Sequence, residues 1–341
     1  MAAQKRGRRS FCFTRQPVIR AWASVAGKKE SEGPLQPYFD YTNQDTYFGE
    51  ATWEKAECRM QQLALEILLQ KAGQREADID LVFSGDLLNQ CISSSFALRN
   101  TGLPALGLYG ACSTMAESLL LGSLAVSGEF ANQVVAMTSS HFASSERQYR
   151  YPLGYGGQRT PTAQWTVTGS GAVLLASSGT GPRVEAATVG TIVDMGITDA
   201  NNMGAAMAPA AMDTIQAHLQ DLGRTPADYD LIVTGDLGDL GREILLDQFR
   251  KAGVNLSGRY NDCGVLIFDL QEQDVHAGGS GCGCSAIVLC GFLLEQLRRG
   301  VWKRILFCGT GALLSPTSTQ QGESIPSVCH GVAIEQERQG V

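Results

Sequence analysis

The sequence predicts an α/β protein made of two similar halves that are related by a pseudo-twofold axis. Residues 65–87 and 215–237 align at an offset of 150 positions, and ten of the 23 aligned residues are identical. The same Gly-Asp-Leu triplet closes both segments. Two copies of one supersecondary unit in a chain of 341 residues indicate an internal duplication.

The first copy predicts a helix followed by a buried strand. Thr52 is a suitable N-cap for a helix over Trp53 to Ala72, and Gly73 is a suitable C-terminal stop. The short apolar run at 81–83 then predicts a strand that is buried on both faces.

The second copy repeats this pattern. Apolar residues Met212, Ile215, Leu219 and Leu222 predict the helix, which Gly223 closes, and residues 231–233 predict the strand. His218 lies off the apolar face of this helix, and we predict that it is exposed.

A second region of similarity follows each copy and aligns Cys112 with Cys284. Each half is predicted to contain a buried helix, a strand and a final apolar strand. Alternating helices and continuous apolar strands predict mostly parallel sheets with both faces covered. The segments are 115–127, 134–137 and 171–175 in the first half, and 286–299, 305–307 and 331–334 in the second.

Charge restricts the class of partner. The net charge of −7 argues against nucleic acid as a partner. The start of the chain is basic, and no acidic residue precedes Glu30. Two interpretations of this start remain open, a solvated tail and adhesion to anionic lipid. The chain shows neither the apolar core of a signal peptide nor a run of membrane-spanning length, so we expect a soluble or peripheral protein.

The ten cysteines lie mostly among aliphatic residues, which favours a reducing, intracellular environment. Cys282, Cys284 and Cys290 lack the paired spacing of a metal site, and the chain has only four histidines. We therefore expect no metal site and no cofactor.

A cysteine at the mouth of a buried helix in the first of two similar halves resembles the thiolase and ketoacyl-synthase superfamily. The resemblance implies α/β/α/β/α layers. Several sequence blocks resemble one family of that superfamily more closely, the stage V sporulation protein AD family of spore-forming bacteria. These blocks are 84–90, 110–114, 138–141, 146–152, 166–173, 207–211, 261–264, 277–282 and 310–316.

This resemblance implies a role in moving dipicolinic acid (pyridine-2,6-dicarboxylate), with or without calcium, into the developing spore. It also implies membrane-protein partners in a transport assembly, a location at the forespore or spore inner membrane, and a homodimer. We divide the chain into an N-terminal segment (1–33), a first half (34–180) with a capping insertion at about 141–165, and a second half (181–341).

Cys112 is the residue on which enzymatic activity depends. A helix N-terminus favours the thiolate form of a cysteine, which would make Cys112 a nucleophile. The other open interpretation is that Cys112 is a small buried residue. Condensing enzymes also need two donors, usually His with His or Asn, to hold the oxyanion. The corresponding loops contain Asp236 and residues 278–281, which offer no such donor; His141 and His276 are conceivable substitutes. We therefore predict no catalytic residue and a vestigial nucleophile position at Cys112.

A planar dicarboxylate requires arginine or backbone donors and an apolar wall. The segment 145–159 offers arginines among tyrosines, and a solvated or dimer-contact loop is its other interpretation. Loop 196–209 either lines the opposite wall or is an ordinary connection. The predicted ligand-binding residues are Cys112, Ser113 and Thr114 as the anion-facing floor, Arg147 and Arg150 as first choices for the carboxylates, and His141, Tyr151, Arg159, His276 and Ser280.

Two other functions compete with ligand binding. The first is an acyl-thioester synthase or acyltransferase that acts through Cys112. The second is a dimeric structural adaptor whose pocket is empty.

Overall fold

A computed structural model describes residues 3–149 and 158–337. The strands are β1 (Ala3–Arg6), β2 (Ser10–Phe13), β3 (Val18–Ala26), β4 (Tyr41–Thr42), β5 (Leu81–Gly85), β6 (Ala105–Leu108), β7 (Gln133–Ser140), β8 (Trp165–Thr166), β9 (Gly169–Ala176), β10 (Arg183–Thr188), β11 (Leu231–Thr234), β12 (Tyr260–Asp262), β13 (Gly279–Ser280), β14 (Arg304–Ala312) and β15 (Ser327–Glu335).

The helices alternate with these strands. They are α1 (Trp53–Ala72), α2 (Ile92–Leu98), α3 (Thr114–Ser127), α4 (Phe142–Tyr149), α5 (Met203–Leu222), α6 (Gly238–Lys251), α7 (Cys263–Leu266), α8 (Cys282–Val288), α9 (Leu294–Arg298) and α10 (Pro316–Gln320). A π-helical turn, Leu289–Leu293, joins α8 to α9.

The strand order makes the pseudo-twofold relation explicit. The main sheet runs β12-β11-β14-β15-β10-β3-β9-β7-β5-β6, so each half contributes five strands outward from the β3–β10 junction. The two halves match in direction as well, because β5 lies parallel to β7, and β11 lies parallel to β14. The duplication seen in the sequence is therefore present in the fold.

The sheet is mixed, whereas the sequence predicted mostly parallel strands. Strand β9 pairs antiparallel with both β3 and β7, and β15 pairs antiparallel with both β10 and β14. These antiparallel pairings follow from two connections, one between β14 and β15 and one between β7 and β9. Neither connection is a helical crossover that covers the sheet face, and only such a crossover gives parallel neighbours.

Three apolar clusters show five layers. One cluster packs α1 against the outer face of the first-half strands, and another packs α5 against the outer face of the second-half strands. The largest cluster lies between them and contains α3 together with α8 and α9. The order of layers is therefore helix, sheet, helix, sheet, helix, as the resemblance implied.

The two copies of the outer helix begin and end in the same way. Thr52 accepts a hydrogen bond from the Lys55 N–H at the start of α1, and Gly73 ends that helix at φ 63°. In α5, Asn202 is the N-cap and Gly223 ends the helix, also at φ 63°. Helix α5 starts inside the loop predicted at 196–209, because Asn202 caps it there.

The basic start of the chain is not a frayed tail. Strands β1 and β2 form a hairpin that pairs with β10, and β3 lies near the middle of the main sheet. The Arg9 guanidinium contacts Asp213 of α5 at 2.6 Å. Residues 3–26 are therefore part of the folded sheet, although residues 4–8 are exposed.

His218 is buried, whereas the sequence predicted an exposed side chain. Its Nδ1 lies 2.7 Å from the Thr188 hydroxyl, and its Nε2 lies 2.6 Å from the Tyr229 hydroxyl. Two neutral partners from other elements make burial favourable, and helical periodicity within α5 does not show them.

Across residues 3–149 and 158–337, no helix combines the length and apolar character that crossing a bilayer requires.

Candidate functional site

Cys112 is held by a tight turn between β6 and α3. Ala111 has φ 51°, a left-handed conformation that costs a non-glycine residue about 1–2 kcal/mol. The Ser113 hydroxyl donates to the Gly110 carbonyl, and the Thr114 hydroxyl donates to the Ala111 carbonyl, each at 2.6 Å. Both hydroxyls are thus used within the turn, and of the three residues predicted as an anion-facing floor only Cys112 lines the adjacent cavity.

The cavity beside Cys112, here called the cysteine cavity, is small and largely apolar. Its volume is about 50 Å³, which is room for a few water molecules. Its apolar lining residues are Leu87, Ala111, Met203, Ala312 and Leu314. Its polar lining residues are Cys112, Ser145, Glu146, Tyr149, Thr166 and Ser280.

Asp236 is the charged group that acts on the Cys112 thiol. It follows β11 in the second half and is fully buried, and it raises the pKa of that thiol. Its carboxylate accepts hydrogen bonds from the Thr310 hydroxyl at 2.7 Å and from the Gly281 N–H at 2.9 Å. Burial raises the pKa of Asp236, although these hydrogen bonds oppose the rise.

Of the two interpretations left open for Cys112, its surroundings favour a small buried residue over a nucleophile. Burial raises the pKa of the Cys112 thiol well above its usual value, and the neighbouring Asp236 and Cys282 raise it further. The Gly281 N–H lowers this pKa but is the smallest of these effects. A neutral thiol is a weak nucleophile, so the local turn does not produce a reactive cysteine.

None of the four histidines, all of which lie in the described ranges, lines the cysteine cavity. His141 is buried, with Nε2 2.8 Å from the Thr46 carbonyl and Nδ1 accepting from the Ala143 N–H. His276 lies 3.3 Å from Asp274 near the surface. Neither imidazole replaces the oxyanion donors of a condensing enzyme.

The structure also places the predicted arginines away from Cys112. Arg147 forms an ion pair with Glu54 and covers the Trp53 ring. Arg159 forms an ion pair with Asp274 at 2.9 Å and covers the Trp165 ring. These partners lie on α1 and before β13, and they draw both guanidinium groups to the far side of α4. Arg150 and Tyr151 lie outside the described residues.

That far side of α4 contains a larger cavity, here called the lysine cavity. Its volume is about 480 Å³. The residues that carry its charge and its aromatic walls are Lys28, Lys29, Glu30, Trp53, Phe142 and Trp165, and His141 lines it as well. The sequence therefore grouped residues of two separate cavities into one predicted site.

Several residues of the cysteine cavity were not predicted. Glu146 and Tyr149 belong to the segment in which only the arginines and Tyr151 were selected, because arginine is the obvious carboxylate partner. Leu87 follows the carboxyl end of β5, and Met203 begins α5. The rule that sites gather at the carboxyl ends of strands would have pointed to Leu87.

In the described part of the chain, no group of three or more His, Cys, Asp or Glu side chains is arranged to hold a metal ion.

The geometry can be compared with known proteins. A family model described as stage V sporulation protein AD matches residues 7–335. Stage V sporulation protein AD of Bacillus subtilis (strain 168) is 45% identical over 329 residues, which cover 96% of this chain and 97% of the relative.

Solved structures show the same architecture. The 3-oxoacyl-(acyl-carrier-protein) synthase III of Aquifex aeolicus VF5 is 12% identical and has a TM-score of 0.57, covering 94% of this chain and 99% of that one. The human mitochondrial 3-ketoacyl-CoA thiolase is 13% identical and has a TM-score of 0.60, with coverage of 94% and 98%. The fold is thiolase-like, and the chain belongs to the stage V sporulation protein AD family.

Proposed function

We propose that this protein is a non-catalytic member of the thiolase-like fold that binds dipicolinic acid during spore formation. The observation that carries the proposal is the buried Asp236 carboxyl, which raises the pKa of the Cys112 thiol and is not an oxyanion donor. We infer the ligand from the resemblance of the sequence to this family.

The arrangement at Cys112 argues against acyl transfer. A condensing enzyme needs hydrogen-bond donors where the thioester oxygen becomes negative. Here Asp236 presents a carboxyl at the thiol instead, and its negative form would repel an oxyanion. The raised pKa of Cys112 removes the thiolate that would attack a thioester.

The same cavity retains features of a binding site. Its walls are mainly apolar, which suits a pyridine ring. The Ser145 hydroxyl is buried and has no hydrogen-bond partner among the described residues. Such a group costs about 1–3 kcal/mol until a partner arrives, so it favours a ligand with an acceptor oxygen.

Binding requires the cavity to widen, and Tyr149 is the side chain that must move. Its hydroxyl donates to the Leu87 carbonyl and lies 3.2 Å from the Tyr109 hydroxyl. Arg150 follows Tyr149 directly in the sequence, and we propose that it pairs with one ligand carboxylate once Tyr149 has moved.

We propose that calcium, where it takes part, accompanies the ligand as its counter-ion. Transport would then require membrane proteins as partners, with this chain bound peripherally at the forespore or spore inner membrane.

We further propose a homodimer formed through the β6 edge. Strand β6 ends the main sheet, and no described strand pairs with its outer side. Leu106 on this strand is 54% exposed, and Ile92, Phe96 and Tyr109 are further exposed apolar side chains on neighbouring elements. An unpaired apolar edge strand is unfavourable in water, so a second copy would cover it.

Calorimetric titration with dipicolinate tests the ligand. We expect saturable binding to the wild-type protein and weaker binding of benzoate and pyridine, which lack one or both carboxylates. Cys112→Leu should abolish dipicolinate binding because the larger side chain fills the cavity. Cys12→Leu, at a half-exposed cysteine, should leave binding unchanged. If the wild-type protein shows no saturable heat, the ligand is wrong.

A further inference from the structure

The lysine cavity is separate from the site assigned to Cys112. Helix α4 lies between the two cavities, with Ser145 and Tyr149 facing the cysteine cavity and Phe142 and Ala143 lining the lysine cavity. A volume of about 480 Å³ is within the range of small-molecule pockets. The cavity therefore has room for a ligand of its own.

One wall of the lysine cavity is aromatic. Phe142 stacks on Trp165 with ring centroids 3.8 Å apart and an angle of 10° between the planes. Trp53 supplies a further indole at the start of α1. These rings form an apolar surface that would pack against a flat hydrocarbon body.

Positive charge lies beside this aromatic wall. The Lys29 ammonium lies 4.4 Å from the centre of the Trp165 ring. Neither Lys28 nor Lys29 forms an ion pair with a carboxylate in the described part of the structure, although Glu32 also lines the cavity. Two unpaired ammonium groups beside one exposed carboxylate favour an anionic ligand.

Two buried polar atoms near these rings lack partners. Oε2 of Glu30 and Nη1 of Arg159 are both without a hydrogen bond among the described residues. Arg159 lies over Trp165, and Glu30 lines the cavity. Burial raises the pKa of Glu30 to about 7, so a large share of this carboxyl is protonated at neutral pH and can donate. Both unpaired groups are therefore potential donors to an acceptor oxygen.

We propose that the lysine cavity binds a small amphiphilic organic anion, a flat apolar body that carries one carboxylate. The apolar body packs against Phe142 and Trp165, and the carboxylate pairs with Lys28 and Lys29. Glu30 provides a further hydrogen bond. This site is independent of the dipicolinate site proposed above, because the two cavities share no lining residue.

Titration with 2-naphthoate, followed by tryptophan fluorescence and by calorimetry, tests the proposal. We expect saturable binding to the wild-type protein and much weaker binding of neutral 2-naphthamide. Lys29→Glu should weaken naphthoate binding at least tenfold, because it replaces an attractive charge by a repulsive one. Lys28→Glu, at a more exposed lysine, is a second variant with the same expected direction and little risk to folding.

The controls separate the two cavities. Lys303→Glu reverses the charge of an exposed lysine outside the cavity and should leave naphthoate affinity unchanged. Cys112→Leu should abolish dipicolinate binding but leave naphthoate binding intact. The proposal is overturned if naphthoate shows no saturation, if both lysine variants bind as tightly as wild type, or if Cys112→Leu alone removes binding. None of these results depends on whether dipicolinate binds.

Discussion

At Cys112, the local backbone and the long-range contacts act on the thiol pKa in opposite directions. The start of a buried helix lowers it, whereas burial and the Asp236 carboxyl raise it. Burial is the largest of these effects, and the Asp236 charge adds to it. A sequence pattern shows the helix start, but it does not show that a residue from the other half of the chain lies against Cys112.

Alkylation kinetics measure this balance. Iodoacetamide should modify Cys112 slowly at neutral pH, because little thiolate is present. Asp236→Asn removes the negative neighbour, so the pH at which Cys112 reacts at half its maximal rate should move downward. Peptide mass spectrometry as a function of pH follows the residue, with Asp239→Asn as a matched exposed control. Rapid modification of wild-type Cys112 at pH 7 would contradict the assignment.

Glu57 is a second buried acid with a predictable effect on stability. It accepts hydrogen bonds from Ser139 and Ser144, and burial together with the Asp86 charge raises its pKa from 4.5 to about 8. The folded protein holds this proton between those two values, whereas the unfolded chain does not. The stabilisation is therefore complete below pH 4.5 and is lost as the pH rises through 8.

We expect the free energy of unfolding to fall between pH 6.5 and 8, and Glu57→Gln should reduce that fall by about 2 kcal/mol. Urea denaturation at several pH values measures the slope. Glu66→Gln, at an exposed position on the same helix, should keep the wild-type slope. A slope that is unchanged in Glu57→Gln would show that this carboxyl does not hold a proton in the folded state.

At the scale of elements, the duplicated helix is where sequence and structure agree best. Thr52, Gly73 and Gly223 were predicted to bound α1 and to end α5, and the structure confirms all three. These signals are local, since a cap depends on its own helix. Strand direction was predicted less well, because it depends on connections rather than on the residues of the strand.

The two helix ends should respond alike to mutation. Gly73 and Gly223 both have φ 63°, and an added Cβ would meet no other atom within 4 Å at either position. Gly73→Ala and Gly223→Ala should therefore each destabilise by about 1–2 kcal/mol through backbone strain alone. Gly73→Asn should cost less, because asparagine tolerates this conformation. Urea denaturation would contradict the prediction if one alanine variant were neutral.

At the scale of the molecule, the sequence predicted the fold but merged two cavities. The duplication and the resemblance determine the layers, and both are visible in one chain. The side of α4 on which Arg147 and Arg159 lie depends on Glu54 and Asp274, which are distant in sequence. The predicted site therefore combined Cys112 and Ser280 with His141, which lines the other cavity, and with arginines that line neither.

Quaternary structure offers a prediction at the same scale. Leu106→Lys places a charge on the unpaired edge of β6 and should convert a dimer into a monomer in sedimentation velocity. Phe130→Lys changes an apolar residue that is 88% exposed elsewhere, and it should leave the assembly intact. A wild-type protein that sediments as a monomer at micromolar concentration would refute the β6 interface.

We propose that the cavity beside Cys112 binds dipicolinate without catalysing a reaction. A crystal structure of the protein with dipicolinate would test this proposal. We expect intact, noncovalent ligand beside Cys112 and Ser280, with Tyr149 displaced. Density for a covalent adduct on Cys112 after exposure to a thioester, or ligand only at other positions, would contradict it.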